Sequence, residues 1–556
     1  MLTDSLEYLE KDASQWGIFK LVENKDDFLR MVVETVVQKF RIEFPTTRNL
    51  YDELASALYQ ERIRVTTSRW KSDAEDEKDF WNNVKGQIIK FHKKGKWEAT
   101  DRTSLESILK KILYRYAYEM IAGFNPAVFR FAQKFLPKVL MIFLHYRFLN
   151  PLKILSTSHR GYFSRFKITG PFDLIRNLAK ECTVIVVPTH FSNTDSPIVG
   201  WALHSIGLEP VTYGAGSNLF GTQPVSFFMN NLGAYKLDRR RKNKIYTEIL
   251  KTYSQTAIEY GTPSLFFPGG TRSRSGSIED KLKLGLLSTA IEAQQENFIH
   301  NRKKIVILPL VINYQYNVEA SSLVIQHLKE IGKEKYVADN FEYSTTYKIW
   351  RFIKQLLKVR SELVISFGKP LDVIGNEVNE HGQSISKQGQ IIDIKGYFEI
   401  ENKIVKDDQR NFEYTKILGD KILNSFYIYN TVMSGPLVAF VYFRMLQKRH
   451  KNLSLFEQIL LPREDRIVQK EYMINAIEMI QNKLMNLQTE KKIQLSKAVA
   501  TMNASKLLED GIQNLNLFNS KNIIYQDSDK NYNSQDLRLA YFYHNRLKGY
   551  GLEKSI

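Results

Sequence analysis

One cysteine, Cys182, is present in 556 residues. A lone thiol can form neither an internal disulfide nor a cysteine zinc site, so nothing ties the chain to an oxidising compartment, and a cytoplasmic setting fits best. The opening stretch, MLTDSLEYLEKD, is acidic and lacks an apolar run behind a basic flank, which sets it apart from a signal peptide. Acidic residues are also in deficit: 60 Asp plus Glu stand against 79 Lys plus Arg, a formal charge of +19. That excess suits an anionic partner, be it nucleic acid, a lipid surface or a small phosphorylated molecule. No nucleic-acid motif is recognisable and the basic residues are spread along the chain, so nucleic acid is not expected.

Long uncharged runs are equally scarce. Residues 422–443 form one, 22 residues between Lys421 and Arg444, which meets the length criterion for a membrane span. Asn424, Ser425, Asn430, Thr431, Ser434, Gly435 and Pro436 would each need a partner in lipid, however, so a partly buried or membrane-facing helical hairpin is the expectation. No internal repeat of fixed period is found. With 43% hydrophobic and 25% charged residues, the chain is neither disordered nor a polytopic membrane protein, and its length implies two or three folding units.

Residues 1–155 alternate apolar and charged positions at helical spacing, as in DDFLRMVVETVVQKF, and read as a helical N-terminal region. In its last part Phe129, Phe131, Phe135, Leu136, Leu140 and Phe143 interleave with Arg130, Lys134, Lys138 and Arg147, a pattern that suits a membrane-surface helix and a core helix with basic flanks alike. From residue 156 the texture changes to short β-branched or aromatic runs (TVIVVP, SLFFP, IVILPLVI, LVISFG) separated by helix-length segments. That alternation predicts an α/β domain over 156–375. Residues 376–556 begin with a polar, glycine-containing loop or insertion and become helical. There Ile474, Ile477, Ile480, Leu484 and Leu487 mark an amphipathic helix.

Three motifs carry potential chemistry. In VIVVPTHFSNTDSPIVGWAL a buried-looking strand runs into His190, then four residues, then Asp195. The Ser196–Pro197 pair predicts a helix beginning there, which places both side chains in a strand-to-helix turn at the carboxyl end of a sheet strand. A histidine held in one tautomer by a carboxylate leaves its other nitrogen free to take a proton from a hydroxyl. With no nucleophile beside it, the pair would activate an alcohol of the substrate. Alone, Asp195 is equally well a helix cap and His190 a polar loop residue. In SLFFPGGTRSRSGS, Gly269 and Gly270 let a backbone approach an anion while Thr271, Arg272, Ser273 and Arg274 offer hydroxyl and guanidinium donors. The spacing is not that of a nucleotide P-loop. In NNLGAYKLDRRRKNK, Gly233 precedes a short alternating run and a cluster of cations from Arg239 to Lys244. One of these is expected to reach a site, the others to face solvent or lipid head groups.

Taken in order, the motifs resemble the glycerolipid acyltransferase family, and within it the glycerol-3-phosphate branch. His190 and Asp195 look like its first block, GAGSNLF continuing to GAYKLDR (with Gly233 and Arg239) its second, FFPGGTRSRSG its third and ILPLVINY (with Pro309) its fourth. The likeness covers residues 156–375, and NTVMSGPLVAFVYF is similar to the segment beyond the catalytic domain in that branch. One departure stands out: Gly269 occupies a position where family members commonly carry Glu.

The resemblance implies an α/β acyltransferase domain, a mixed sheet flanked by helices, between helical N- and C-terminal regions. It implies His190 as the base, oriented by Asp195, and an acyl thioester donor, either acyl-CoA or acyl carrier protein, with no bound metal or cofactor. Arg239, Gly270, Thr271, Arg272, Ser273 and Arg274 would hold the acceptor phosphate, with Lys283 a weaker candidate. Glycerol-3-phosphate is the expected acceptor. The alternatives are lysophosphatidate, dihydroxyacetone phosphate, or a catalytically weakened membrane-binding scaffold should Gly269 be a lesion. An anionic membrane surface is the expected partner, met peripherally on the cytoplasmic face.

Overall fold

A computed structural model describes residues 2, 4–92, 96–144, 166–221, 223, 225–317, 319–332, 362–516 and 521–556, with side chains omitted over 136–144. Its centre is a seven-stranded sheet in the order β1 (Phe166–Thr169), β7 (Leu363–Phe367), β6 (Lys304–Tyr314), β2 (Cys182–Pro188), β5 (Ser264–Leu265), β3 (Thr212–Gly216), β4 (Ala234–Leu237). Strands β2 to β6 are mutually parallel, whereas β7 is antiparallel to β6 and parallel to β1, so the sheet is mixed.

The continuous apolar runs read as strands because both sheet faces are covered. All seven residues of β2 are buried. Val184 and Val186 join Val306, Leu308, Leu310 and Ile312 in one core with Ile198, Val199 and Trp201. Ile185 and Val187 join Ile305, Ile307 and Val311 in the other, against Ile291, Leu418, Ile422 and Phe426. Alternate residues on one strand thus serve opposite layers, and neither layer can be polar. Pro309 lies in β6, where its carbonyl accepts from the Gly368 N–H beyond the end of β7.

The N-terminal helices, among them Lys25–Glu43, Thr47–Thr67, Glu77–Ile88 and Ala99–Met120, share one core with Tyr235 of β4 and with Ile245, Tyr246, Ile249 and Tyr253 of the Lys244–Glu259 helix. They therefore pack on the sheet edge at β4. In the Pro126–Leu144 helix, Phe129 is buried against Trp16 and Phe124, while Phe131 and Phe135 are exposed and stack on each other at 5.3 Å. The side chains of Leu136, Lys138, Leu140 and Phe143, and all of Arg147, lie outside the described residues.

The uncharged run at 422–443 corrects the expectation of a membrane-facing hairpin. It comprises the end of one helix (Asp408–Tyr429), a short strand (Thr431–Val432) and most of a second helix (Ser434–Arg449). Leu437 through Phe443 are each 1% exposed or less, enclosed by the Lys470–Thr489, Ala504–Asn516 and Leu537–His544 helices. The polar residues find partners in protein. Ser434 donates to Asp510 at 2.5 Å and accepts from Gln315 at 2.7 Å, and Asn430 donates to Tyr550 at 3.1 Å. Among the described residues no helix is long and apolar enough to cross a membrane.

Candidate active site

Strand β2 ends at Pro188, and the two residues after it are tied down before any side chain acts. Thr189 donates its N–H to Leu310 and accepts at Oγ1 from Ile312 of β6. His190 donates its N–H to Oε1 of Glu279 at 2.9 Å, and its carbonyl accepts from the Ser273 N–H at 2.7 Å. The chain then turns into the Asp195–Ser205 helix, which starts one residue before the expected Ser196.

Asp195 is fully buried and is far more than a helix cap. Its Oδ2 accepts from the N–H groups of Phe191 (2.6 Å) and Ser192 (2.8 Å) and lies 2.8 Å from His190 Nδ1, and its Oδ1 accepts from the Tyr314 hydroxyl at 2.5 Å. A carboxylate oxygen facing Nδ1 at that distance requires the Nδ1–H tautomer, which leaves Nε2 as the free basic nitrogen. The imidazole stacks on Phe267 at 4.0 Å and 23°, which fixes its plane, and its side chain remains 15% exposed. Burial and then the Asp195 charge hold the Tyr314 phenol well above its ordinary pKa, so Tyr314 remains a donor to Asp195.

The Gly269–Gly276 loop follows β5. Gly270 takes φ +73°, and Lys283 caps the loop by donating its N–H to Pro268 at 2.7 Å while its side chain lies against Gly270. Ser273 is used by the loop itself, its hydroxyl donating to the Ser277 carbonyl at 2.7 Å. Thr271 is partly exposed. Arg272 and Arg274 project with ion-pair partners, Glu319 and Glu330. Arg239, beyond β4, is exposed and has no ion pair or hydrogen bond among the described residues. Desolvation by neighbouring atoms lowers its pKa, and the charges of Arg272 and Arg274 lower it further. Ser273, between Arg272 and Arg274, donates to the His190 carbonyl, so the loop that carries two of these cations adjoins the histidine.

Arg240 and Arg241 correct the expectation of a solvated face, whereas Lys242 is exposed as expected. Arg241 is buried, donates to Glu77 (2.7 Å) and pairs with Glu119 (2.8 Å), and sits over the Tyr116 ring at 4.9 Å. Arg240 pairs with Asp73 and Asp238 and stacks on Trp70 at 3.8 Å. The N-terminal helices thus grip the turn that presents Arg239. Gly233, at φ +89°, is a backbone device: a side chain there would strike Ile18 and the Val211 carbonyl.

Five contributors were not anticipated from the sequence. Tyr314 ends β6, inside the fourth block, and a phenol two positions after an inward-facing strand residue was its available signal. Glu279 lies ten positions beyond Gly269 in the same loop. Asn317 donates to the Phe191 carbonyl at 2.8 Å. Arg546 comes from the far end of the chain: its guanidinium donates to Ile312 (3.0 Å) and Asn313 (2.7 Å) and covers the Phe191 ring at 3.9 Å. Burial lowers its pKa to about 10, opposed by the charges of Glu279 and Asp195 among others. Asn545 adds a hydrogen bond to the Ser275 carbonyl at 2.9 Å. The carboxyl ends of β2, β4, β5 and β6 therefore converge on one site, where open α/β sheets place their ligands, and the C-terminal region closes its back.

Comparison with known proteins gives a family match over the same part of the chain. Residues 172–313, which span β2 to β5 and all of β6 but its last residue, match the family model described as Acyltransferase. The chain is 29% identical over 203 residues to a glycerol-3-phosphate acyltransferase of Hamiltonella defensa, the aligned part being 36% of this chain and 23% of that protein. It is 29% identical over 211 residues to a protein of the same name in Haemophilus ducreyi, covering 38% and 24%. For that of Actinobacillus pleuropneumoniae serotype 5b the identity is 30% over 212 residues, again 38% and 24%. The chain thus spans about a quarter of the length of the curated relatives it matches.

Proposed function

We propose that residues 172–313, which match the Acyltransferase family model, form a glycerolipid acyltransferase domain, and that the protein transfers a fatty acyl group from an acyl thioester to a hydroxyl of glycerol-3-phosphate. The observation that carries this reading is the His190–Asp195 pair at 2.8 Å, with Ser273 of the Arg272–Arg274 loop bonded to the His190 carbonyl and the charges of Arg272 and Arg274 acting on Arg239. It supplies a base for a hydroxyl and an anchor for a phosphate in one molecule.

In this reading His190 Nε2 removes the proton from the acceptor hydroxyl as its oxygen attacks the thioester carbonyl. Asp195 stabilises the imidazolium that forms. As the tetrahedral adduct collapses the carbon–sulfur bond breaks, and the leaving thiolate takes the proton back from His190, giving an oxyester and a free thiol. No acyl-enzyme is formed. Arg239 anchors the acceptor phosphate, and Arg272 and Arg274 join it by exchanging their carboxylate partners, half-buried Glu319 and exposed Glu330, for phosphate oxygens. Paired guanidinium contacts orient the phosphate and raise the effective concentration of the nearby hydroxyl.

Contact with an anionic membrane surface belongs to the same proposal, because the product is a lipid. The exposed stacked pair Phe131–Phe135, with exposed Phe227 on the adjoining Val225–Asn231 helix, supports a peripheral attachment. Flotation with anionic vesicles that is reversed by salt is the expected result.

The test of the activity is transfer from labelled acyl-CoA, and separately from acyl carrier protein, to glycerol-3-phosphate and to lysophosphatidate, with His190→Ala alongside. Product from glycerol-3-phosphate, reduced about 10²- to 10⁴-fold in the variant, is expected. Near wild-type turnover in His190→Ala overturns the base assignment. Product from lysophosphatidate alone overturns the acceptor.

A further inference from the structure

The space beside residue 269 is not vacant. A Cβ added to Gly269 would lie 3.0 Å from Cγ and 3.3 Å from Oε1 of Glu279, so the carboxylate that position 269 lacks arrives from ten residues further along. The return of the chain is built locally. Gly276, at φ +84°, is pressed against the Phe542 carbonyl, the Ser275 and Ser277 hydroxyls bond each other at 2.7 Å, and Ile278 is sunk in the core. Glu279 is thereby delivered under His190, where Oε1 accepts the His190 N–H at 2.9 Å. Its Oε2 is buried and finds no hydrogen-bond partner among the described residues.

We infer that Glu279 is a positioning residue of this site, filling from position 279 the place of a side chain at 269 and acting on His190 in two ways. Its first action is geometric: with Ser273 it brackets both backbone polar groups of His190, so the imidazole is carried on a backbone fixed from either side. Its second is electrostatic: a buried carboxylate beside His190 favours the imidazolium formed when the base takes its proton. Arg546, in electrostatic contact with Glu279, offsets the cost of keeping that charge in the interior. Burial pushes the Glu279 carboxyl up, while the His190 N–H and Arg546 act against this. The glycine at 269 is on this account the steric complement of Glu279, and the protein is not a weakened member of its family.

This inference rests on the acyl-transfer reading, and a swap of the two positions separates them. Four proteins are compared: wild type, Glu279→Ala, Gly269→Glu and the double variant, with Glu279→Gln as a fifth. Glu279→Ala is expected to lower kcat at least about tenfold with little change in acceptor KM. Gly269→Glu alone should also lose activity, because two carboxylates then compete for one space. The double variant should recover much of the loss, a strongly non-additive cycle. Glu279→Gln keeps an acceptor for the His190 N–H but loses the charge, so the acid limb of its kcat/KM profile should move to lower pH. A double variant no better than Glu279→Ala, or a Glu279→Gln profile that overlays wild type, overturns the inference. Exchange of the His190 amide hydrogen reads the same contact without any turnover: faster in Glu279→Ala and slowed again in the double variant supports it, and no change overturns it. If the wild-type protein transfers no acyl group, the acyl-transfer reading falls while the exchange measurement still decides the contact.

Discussion

Tyr314 at the end of β6 donates a 2.5 Å hydrogen bond to Oδ1 of Asp195, the oxygen that the His190 side does not use. One carboxylate is thereby held at both oxygens, by the imidazole and two backbone N–H groups on one side and a phenol from the neighbouring strand on the other. Tyr314→Phe removes that donor and leaves a fully buried acceptor short of a partner. The expected cost is about 1–2 kcal/mol of stability, with a fall in kcat of about tenfold as Asp195 and the imidazole lose their fixed orientation. Denaturant unfolding together with steady-state kinetics checks both, and a variant unchanged in kcat would show that the two backbone N–H groups suffice.

Adjacent arginines in the Arg239–Arg241 run are expected to behave oppositely. Arg239 is exposed and has no ion pair among the described residues, so Arg239→Ala should change stability by no more than about 0.5 kcal/mol. The same change should raise acceptor KM about tenfold or more, as one guanidinium contact to phosphate is lost. Arg241→Ala leaves Arg64 as the only cation paired with buried Glu61 and Glu77 among the described residues, and should cost about 3–5 kcal/mol. Thermal unfolding and acceptor titration of both variants make the comparison. Equal effects on KM with equal stability would refute the separation of anchor from support.

That contrast also shows which parts of the molecule were legible in the sequence. TVIVVP announced a strand because it lies within seven consecutive residues buried between two cores, of which Thr183 alone is polar. His190 and Asp195 were legible because a strand-to-helix turn is a local object, and its contents share a few residues of sequence. The run RRRKNK misled because a charge cluster usually faces water, whereas here Asp238 and four acidic residues of the N-terminal region neutralise Arg240 and Arg241. Apart from Asp238, the acidic partners of Arg241 are more than a hundred residues away, and no local pattern encodes them. Residues 422–443 misled for the matching reason: an uncharged helix wrapped by other helices has the composition of a lipid-facing one until the partners of Ser434 and Asn430 are known. Glu279 and Arg546 were invisible because each reaches the site through a turn or a terminus whose return path only tertiary packing defines.

Arg546 ties the C-terminal region to the site, and its removal is expected to be costly beyond its own hydrogen bonds. Arg546→Met would leave the buried carboxylates of Asp195 and Glu279 without the nearest cation from the C-terminal side. A loss of about 3 kcal/mol and a severe drop in turnover are expected. Arg546→Lys keeps the charge but not the planar stacking on Phe191, and should fall between. Turnover in Arg546→Met close to wild type would show that residues 537–547 support the fold without reaching the chemistry.

Burial in the C-terminal core makes Phe440 a stability residue. It is 0% exposed and stacks on His544 at 5.1 Å. Phe440→Ala should cost about 3–5 kcal/mol in detergent-free buffer, as for any large core side chain. A variant of unchanged stability whose vesicle binding is reduced would instead return this helix to the membrane.

Stability should also fall with rising pH through a contact remote from the chemistry. Glu209, in the turn before β3, accepts the Gly17 N–H at 2.8 Å and so caps the Gly17–Glu23 helix. Burial pushes its carboxyl up to about 7 from an ordinary 4.5, with the Gly17 N–H, Lys303 and Lys20 acting against the shift and Glu10 adding to it. The folded protein therefore holds this proton more tightly than the unfolded chain does. The resulting stabilisation is full below pH 4.5 and is lost as pH rises through about 7. Glutamine keeps an oxygen for the Gly17 N–H and carries no charge at any pH. Glu209→Gln should match wild type near pH 4.5 and exceed it by about 2–3 kcal/mol at pH 8. Denaturant unfolding at four or five pH values measures the difference, and parallel curves for the two proteins would show that the Glu209 charge is accommodated in the fold at no cost.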